Sequence, residues 1–185
     1  MSKANLSAPT PAQANQSMRH ARRGFTLIEL LIVVAIILII AAIAIPNLLR
    51  SRIAANQASA VGSLRTLNTA EVTYATTYNT GYSGSLGDLG PPMGGQTPTA
   101  TAAGLIDEVL SGGSATATIS SKSGYAFVYT PAATDVSGKI NTYGITATPI
   151  SVGTTGTNYY FTDQSGVIRQ NSTAVAGSSD SPLAG

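Results

Sequence analysis

The sequence predicts an α+β protein in which one long amino-terminal helix, apolar in its first half and amphipathic in its second, packs on a small antiparallel β-sheet. Three observations carry this expectation. From Phe25 to Ile45 only Thr26 and Glu29 are polar. Beyond Pro46 apolar residues recur at helical steps as far as Tyr78. After Gly81 the chain turns to Gly, Ser and Thr, and then to three aromatic, β-prone segments.

At about 1.5 Å per helical residue the run 25–45 extends roughly 31 Å, enough to cross a bilayer. Glu29 is the anomaly inside it, because an ionisable group in a membrane segment is by default a functional one. Pro46 lacks an amide proton and its ring crowds the preceding turn, so it is expected to kink or locally open the helix there. Beyond it Leu49, Ile53, Ala60, Leu64, Leu67, Tyr74 and Tyr78 share one face, while Arg50, Arg52, Asn56, Ser63 and Thr66 lie away from it. Such a stripe needs a partner surface, and the sheet is the obvious one. Glu71 falls within the stripe and reads as a helix-edge residue whose head reaches water. Tyr74, Tyr78 and Tyr82 read as core packing with hydroxyls at the rim rather than as an aromatic conduit for electrons. The two halves, 25–45 and 46–80, make one helix of about 54 residues by the spacing of its apolar positions.

Residues 81–185 form the expected head. The Gly-rich stretch from Gly81, closed by Pro91-Pro92, reads as a connecting loop. Within the segment that follows, Ala102 to Leu110 is expected as a short helix stopped by Ser111-Gly112-Gly113. Asp107 and Glu108 are adjacent, point in different directions on a helix, and read as a solvated face rather than a paired-carboxylate or metal site. The strands are expected at Tyr125–Tyr129, Tyr143–Thr148 and Tyr159–Thr162, the last returning through Gly166 into Val167–Arg169 as a hairpin. That makes about four strands. The small, polar tail from Asn171 is expected to fray.

Composition narrows the function classes. There is no Cys, which excludes disulfides, thiolate metal sites and a Cys-linked lipid anchor. The single His, His20, lies in residues 1–24, so a His-dependent catalyst in the remainder is excluded. No phosphate-binding loop or usefully spaced acid pair is present, and the chain reads as a non-enzyme with no cofactor and no metal. Residues 1–24 hold Lys3, Arg19, Arg22 and Arg23 and no acid; without them six basic side chains face eight acidic ones, a balance of −2. No specific nucleic-acid binding is expected of such a body. Residues 1–17 show no apolar period, and Met18 opens a compact basic leader by itself; translation from either Met gives the same chain after Gly24.

Arg22-Arg23-Gly24-Phe25-Thr26-Leu27-Ile28-Glu29, followed by the long apolar run, resembles the prepilin signature of type IV pilins and of type II secretion pseudopilins. The resemblance implies a pilin-like fold. It also implies that a prepilin peptidase cuts after Gly24, that the new amino terminus at Phe25 is methylated, and that Glu29 guides assembly by meeting the amino terminus of an adjacent subunit. The implied partners are further copies in a helical filament, the peptidase, the inner-membrane assembly machinery and, before assembly, membrane lipid. Leader 1–24 would stay on the cytoplasmic side, as the positive-inside tendency suggests. The body would end on a pilus at the cell surface. Many relatives close a carboxy-terminal loop with a disulfide; without Cys this chain must hold that end by packing and strand pairing. Some pseudopilins bind calcium there, and Asp163, the lone acid near the expected hairpin, is too little for it unless backbone carbonyls supply most ligands.

Three other readings stand beside the pilin one. A pseudopilin would form a short periplasmic piston. A signal-anchored binding module would never polymerise and would keep its precursor end. An ordinary secretory signal would be cut after Ala42-Ile43-Ala44, although its apolar core would be shorter and would lack Glu29.

Overall fold

A computed structural model describes residues 24–183. Lys3, Met18, Arg19, His20, Arg22 and Arg23, and with them the leader's basic pair, lie outside the described residues. The described chain divides into two units, one ending at Ala42 and the other beginning at Ile43.

Helix α1 runs Leu27–Tyr78 and contains Pro46 without a break. Its segment up to Ala42 carries an almost unbroken series of apolar side chains that nothing else in the unit covers. Ile28, Ile32 and Ile39, for instance, all stay more than half exposed. The helix is long and apolar enough here to cross a membrane.

The second unit is a sheet packed on the later turns of α1. Strands β1 (Ile119–Lys122), β2 (Tyr125–Pro131), β3 (Tyr143–Pro149), β4 (Tyr159–Asp163) and β5 (Arg169–Asn171) pair antiparallel in the order of the chain. Alternation decides which face packs: Tyr125, Phe127 and Tyr129 of β2, Tyr143, Ile145 and Ala147 of β3, and Tyr160 and Thr162 of β4 are buried. They close over Ala60, Leu64, Leu67, Ala70 and Tyr74 of α1. Three inward tyrosines also place their hydroxyls: Tyr125 donates to Asn158 O (2.8 Å), Tyr129 to Ser83 O (2.8 Å) and Tyr143 to Asn68 Oδ1 (3.1 Å). Asn68 in turn donates to Thr162 Oγ1 at 2.8 Å, so these polar groups of the core are paired with one another.

The stripe on α1 is narrower and more polar than its spacing implies. Leu49 is exposed and Ile53 half-buried, because the sheet covers the helix only from about Ala60 onward. Ser63 and Glu71, expected away from the core or at its edge, are both buried.

Two short helices, α2 (Leu86–Leu89) and α3 (Glu108–Ser111), lie in the connecting segment. Ser85 caps α2 through the Asp88 amide at 3.1 Å. Asp107 caps α3 through the Leu110 amide at 2.9 Å and pairs with Lys122 at 2.7 Å, so it is a helix cap as well as a surface acid. That lysine, hydrogen-bonded to it, holds the Asp107 carboxyl below its usual range. The helix expected from Ala102 starts only at Glu108. The amides of Ala103, Gly104 and Leu105 are already committed to the carbonyls of Asp88, Gly90 and Leu89, each at 2.8 Å, and that pairing excludes helical bonding. Its end agrees with expectation, with Gly112 in the left-handed conformation at φ 81°.

Gly87 of α2 sits where backbone meets backbone, and a Cβ there would collide with the carbonyl of Ser114. Gly87→Ala is therefore expected to destabilise the head by about 3 kcal/mol, the upper end of ordinary overpacking, because no flexible side chain can yield. Urea unfolding of the detergent-solubilised chain, followed by circular dichroism, measures it.

The sheet has five strands rather than about four. The added edge strand β1 has one apolar residue in four, so no local pattern announces it; its register against β2, Ile119 opposite Val128 through Lys122 opposite Tyr125, creates it. The hairpin turn at Gly166 forms, with its amide on Asp163 O at 2.9 Å. Strand β5 nevertheless starts two residues later than expected, at Arg169, and the Ile168 carbonyl before it accepts from Leu183 N at 2.7 Å. The tail up to Leu183 is accordingly pinned rather than frayed. The Asp180 carboxylate accepts from Asn171 Nδ2 (2.9 Å) and Gly177 N (2.7 Å), while Arg169 Nη1 donates to the Asp180 carbonyl at 2.9 Å. Gln170 N bonds Ser181 O at 3.0 Å, and Ala176 is buried. This polar network holds the end of the chain without a covalent link.

Candidate assembly and processing site

The residues singled out by the sequence gather at the start of α1. Gly24, Phe25 and Thr26 precede the first helical turn, and all are exposed, Phe25 to 87%. A Cβ on Gly24 would meet nothing within 4 Å among the described residues beyond its chain neighbours.

Glu29 closes the first turn. Its Oε2 accepts from the Thr26 amide (2.8 Å) and from the Thr26 hydroxyl (2.8 Å), and its own amide points back to Thr26 Oγ1 at 3.3 Å. This is a reciprocal capping box, in which the Thr and the Glu three residues on satisfy donors that the helix start leaves without partners. The anion also lies at the positive end of the helix dipole. Sequence reasoning treats Glu29 as a lone charge and misses Thr26, although the Thr-x-x-Glu spacing before an apolar run is the signal for such a box. Both bonds use one oxygen; Oε1 accepts nothing from the described residues and belongs to an exposed side chain. The cap therefore fixes the carboxylate's position while leaving half of it open to a donor from elsewhere.

Pro46 lies within α1 and is exposed, and its missing amide removes one helical hydrogen bond there. Among the described residues no three His, Asp or Glu side chains cluster as metal ligands. Asp163, the nearest acid to the β4–β5 turn, accepts from the Ser165 amide at 2.9 Å.

Residues 19–45 match the family described as the prokaryotic N-terminal methylation motif. The type IV major pilin protein PilA of Myxococcus xanthus is 54% identical over 52 residues, which is 28% of this chain and 24% of that protein. The type IV wide pilus major component PilA4 of Thermus thermophilus is 69% identical over 39 residues, 21% of this chain and 29% of that protein. The match thus spans about a quarter of the length of each of these curated relatives. No solved structure matches the chain. The chain thus carries the prokaryotic N-terminal methylation motif and, over about a quarter of its length, is similar to two type IV major pilins.

Proposed function

We propose that the chain is the major structural subunit of a type IV pilus. It is made as a membrane-anchored precursor, cut between Gly24 and Phe25, methylated on the new Phe25 amine, and polymerised through the apolar part of α1. The observation that supports this best is the coincidence of the methylation motif at residues 19–45 with a helix whose apolar side chains the rest of its unit leaves uncovered. A membrane covers such side chains before assembly, and further copies of the same helix cover them afterward.

Cleavage creates an amine a helical turn from the nearest acid, in a setting where both charges are costly unless paired. The Phe25 amine of one copy and the open Oε1 of Glu29 in its neighbour fit one another, and their pairing fixes axial register. A buried pair of this kind adds little net stability but penalises misalignment strongly. Pro46 supplies the point at which α1 bends most readily as the helix passes from lipid into the filament. Both relatives are named as major components of pili, which favours a surface fibre over a secretion piston.

Mass spectrometry of filaments sheared from cells tests the reading. The expected amino-terminal peptide begins at Phe25 and carries one methyl group. A chain beginning at Ile45, or one retaining the residues before Phe25, overturns it.

A further inference from the structure

Glu71 lies outside the residues proposed for processing and assembly, yet it is the most deeply buried charge-bearing residue among those described, with 0% of its surface exposed. It sits on α1 between Leu67 and Tyr74. Its Oε2 accepts from the Ser83 amide at 2.9 Å and its Oε1 lies 2.6 Å from Ser83 Oγ. Ser83 is itself fully buried, and its carbonyl accepts from the Tyr129 hydroxyl at 2.8 Å. Ser83 thereby ties the connecting segment to Glu71 of α1 on one side and to Tyr129 of β2 on the other.

The groups around it offer no positive charge. Tyr74 faces it from α1, Tyr129 from β2, Tyr143 from β3 and Asp88 from α2. Among the described residues the one ion pair joins Lys122 to Asp107, away from this cluster. A carboxylate here would be a buried anion with no counter-ion and a second acid nearby, an arrangement that strongly favours the neutral form.

The hydrogens can be counted. Ser83 Oγ has one proton and three oxygens in reach: Glu71 Oε1, Ser85 O at 2.9 Å and Tyr129 Oη at 3.2 Å. Tyr129 spends its own proton on Ser83 O. If Glu71 is ionised, the single Ser83 proton must choose between Oε1 and Ser85 O. If Oε1 carries a proton, that proton goes to Ser83 Oγ, the Ser83 proton goes to Ser85 O, and the Ser83 amide goes to Oε2. The neutral acid satisfies the contacts at Oε1, Oε2 and Ser85 O at once, leaving only the longer 3.2 Å approach of Ser83 Oγ to Tyr129 Oη without a proton.

We propose that Glu71 is a proton-operated latch: protonated, it clamps the Ser83–Asp88 segment onto α1 and β2, and on losing its proton it releases that segment. Burial raises the Glu71 pKa, consistent with the geometry. For an acid whose folded-state value is raised, the stabilising contribution is complete below the ordinary carboxylate value of 4.5 and is lost as pH rises to the folded-state value. Release spreads beyond the clamp, since Asp88, Leu89 and Gly90 hold the backbone of Ala103 to Ile106.

Hydrogen exchange on the full chain in detergent tests the latch. After correction for intrinsic exchange, protection of the Ser83 and Asp88 amides is expected to fall by about tenfold per pH unit within the window, measured from about pH 5 to about pH 9, while that of Ile145 and Ala147 in β3 holds. Glu71→Gln places an amide NH2 where the acid proton sits and keeps an acceptor for the Ser83 amide. Its protection is expected to match the wild type at low pH and to stay level throughout. The proposal is overturned by a wild type that shows no decline, by a Glu71→Gln chain that declines in parallel with it, or by failure of that variant to fold. Infrared spectroscopy gives an independent reading. The wild type should show a carboxylic-acid C=O stretch at about pH 5 that is absent in Glu71→Gln and that fades in step with the loss of protection as pH rises. No such difference band at about pH 5 would also overturn it.

Discussion

Cells carrying Glu29→Ala are expected to insert the precursor, cut it after Gly24 and display no pili, a loss of at least about two orders of magnitude in sheared filament if register is all-or-none. The head is not at risk, because Glu29 is exposed and, among the described residues, its carboxylate bonds only to Thr26. The structure raises a rival explanation, since the same substitution removes the capping box and frays the first turn of α1. Glu29→Gln separates the two. Gln serves the capping box as Glu does, accepting from the Thr26 amide, but carries no charge for a neighbour's amine. If charge pairing sets register, Glu29→Gln fails to assemble almost as completely as Glu29→Ala. If the cap alone matters, Glu29→Gln makes normal pili, and the pairing between copies is wrong. Electron microscopy of sheared material, with blotting for the cleaved chain in the membrane fraction, reads both outcomes.

What could be read from the sequence divides along a physical line. Helix α1 was legible because its signals are local: an apolar run, a helical period and a motif at fixed spacing. Strands β2, β3 and β4 were legible for the same reason, as short β-prone runs bounded by turn residues. Long-range partners were not. Glu71 looks like an edge residue until Ser83, twelve positions on, folds back to meet it, and Asp180 looks like part of a polar tail until Asn171 and Gly177 converge on it. Strand β1 is a strand only because β2 lies beside it. At the amino terminus the split is finer. Thr26 and Glu29 are close enough in sequence for the cap to be read, yet the charge in an apolar run draws attention first. The two roles share one side chain, Oε2 serving its own helix and Oε1 remaining open.

Gly24→Val is expected to leave full-length precursor in the membrane, with processing reduced by at least about a hundredfold, equivalent to roughly 2.7 kcal/mol of lost transition-state stabilisation at the peptidase. The argument rests on what the substitution does not do. A Cβ on Gly24 meets no atom of the described residues beyond its chain neighbours within 4 Å, and the residue lies before α1 at a backbone conformation that does not require glycine. Neither the helix nor the head gains a clash, so membrane insertion and folding of the variant should equal those of the wild type. A processing defect must then arise where the peptidase holds the residue before the cut, in a space with no room for a branched side chain. Gly24→Ala, which adds a single methyl group, should be processed at an intermediate rate and yield some pili. Pulse-chase labelling that follows the conversion of precursor to mature chain measures all three. Normal conversion of Gly24→Val would move the cut away from Gly24, and with it the amine from Phe25, leaving Glu29 without the cation that the proposed assembly requires.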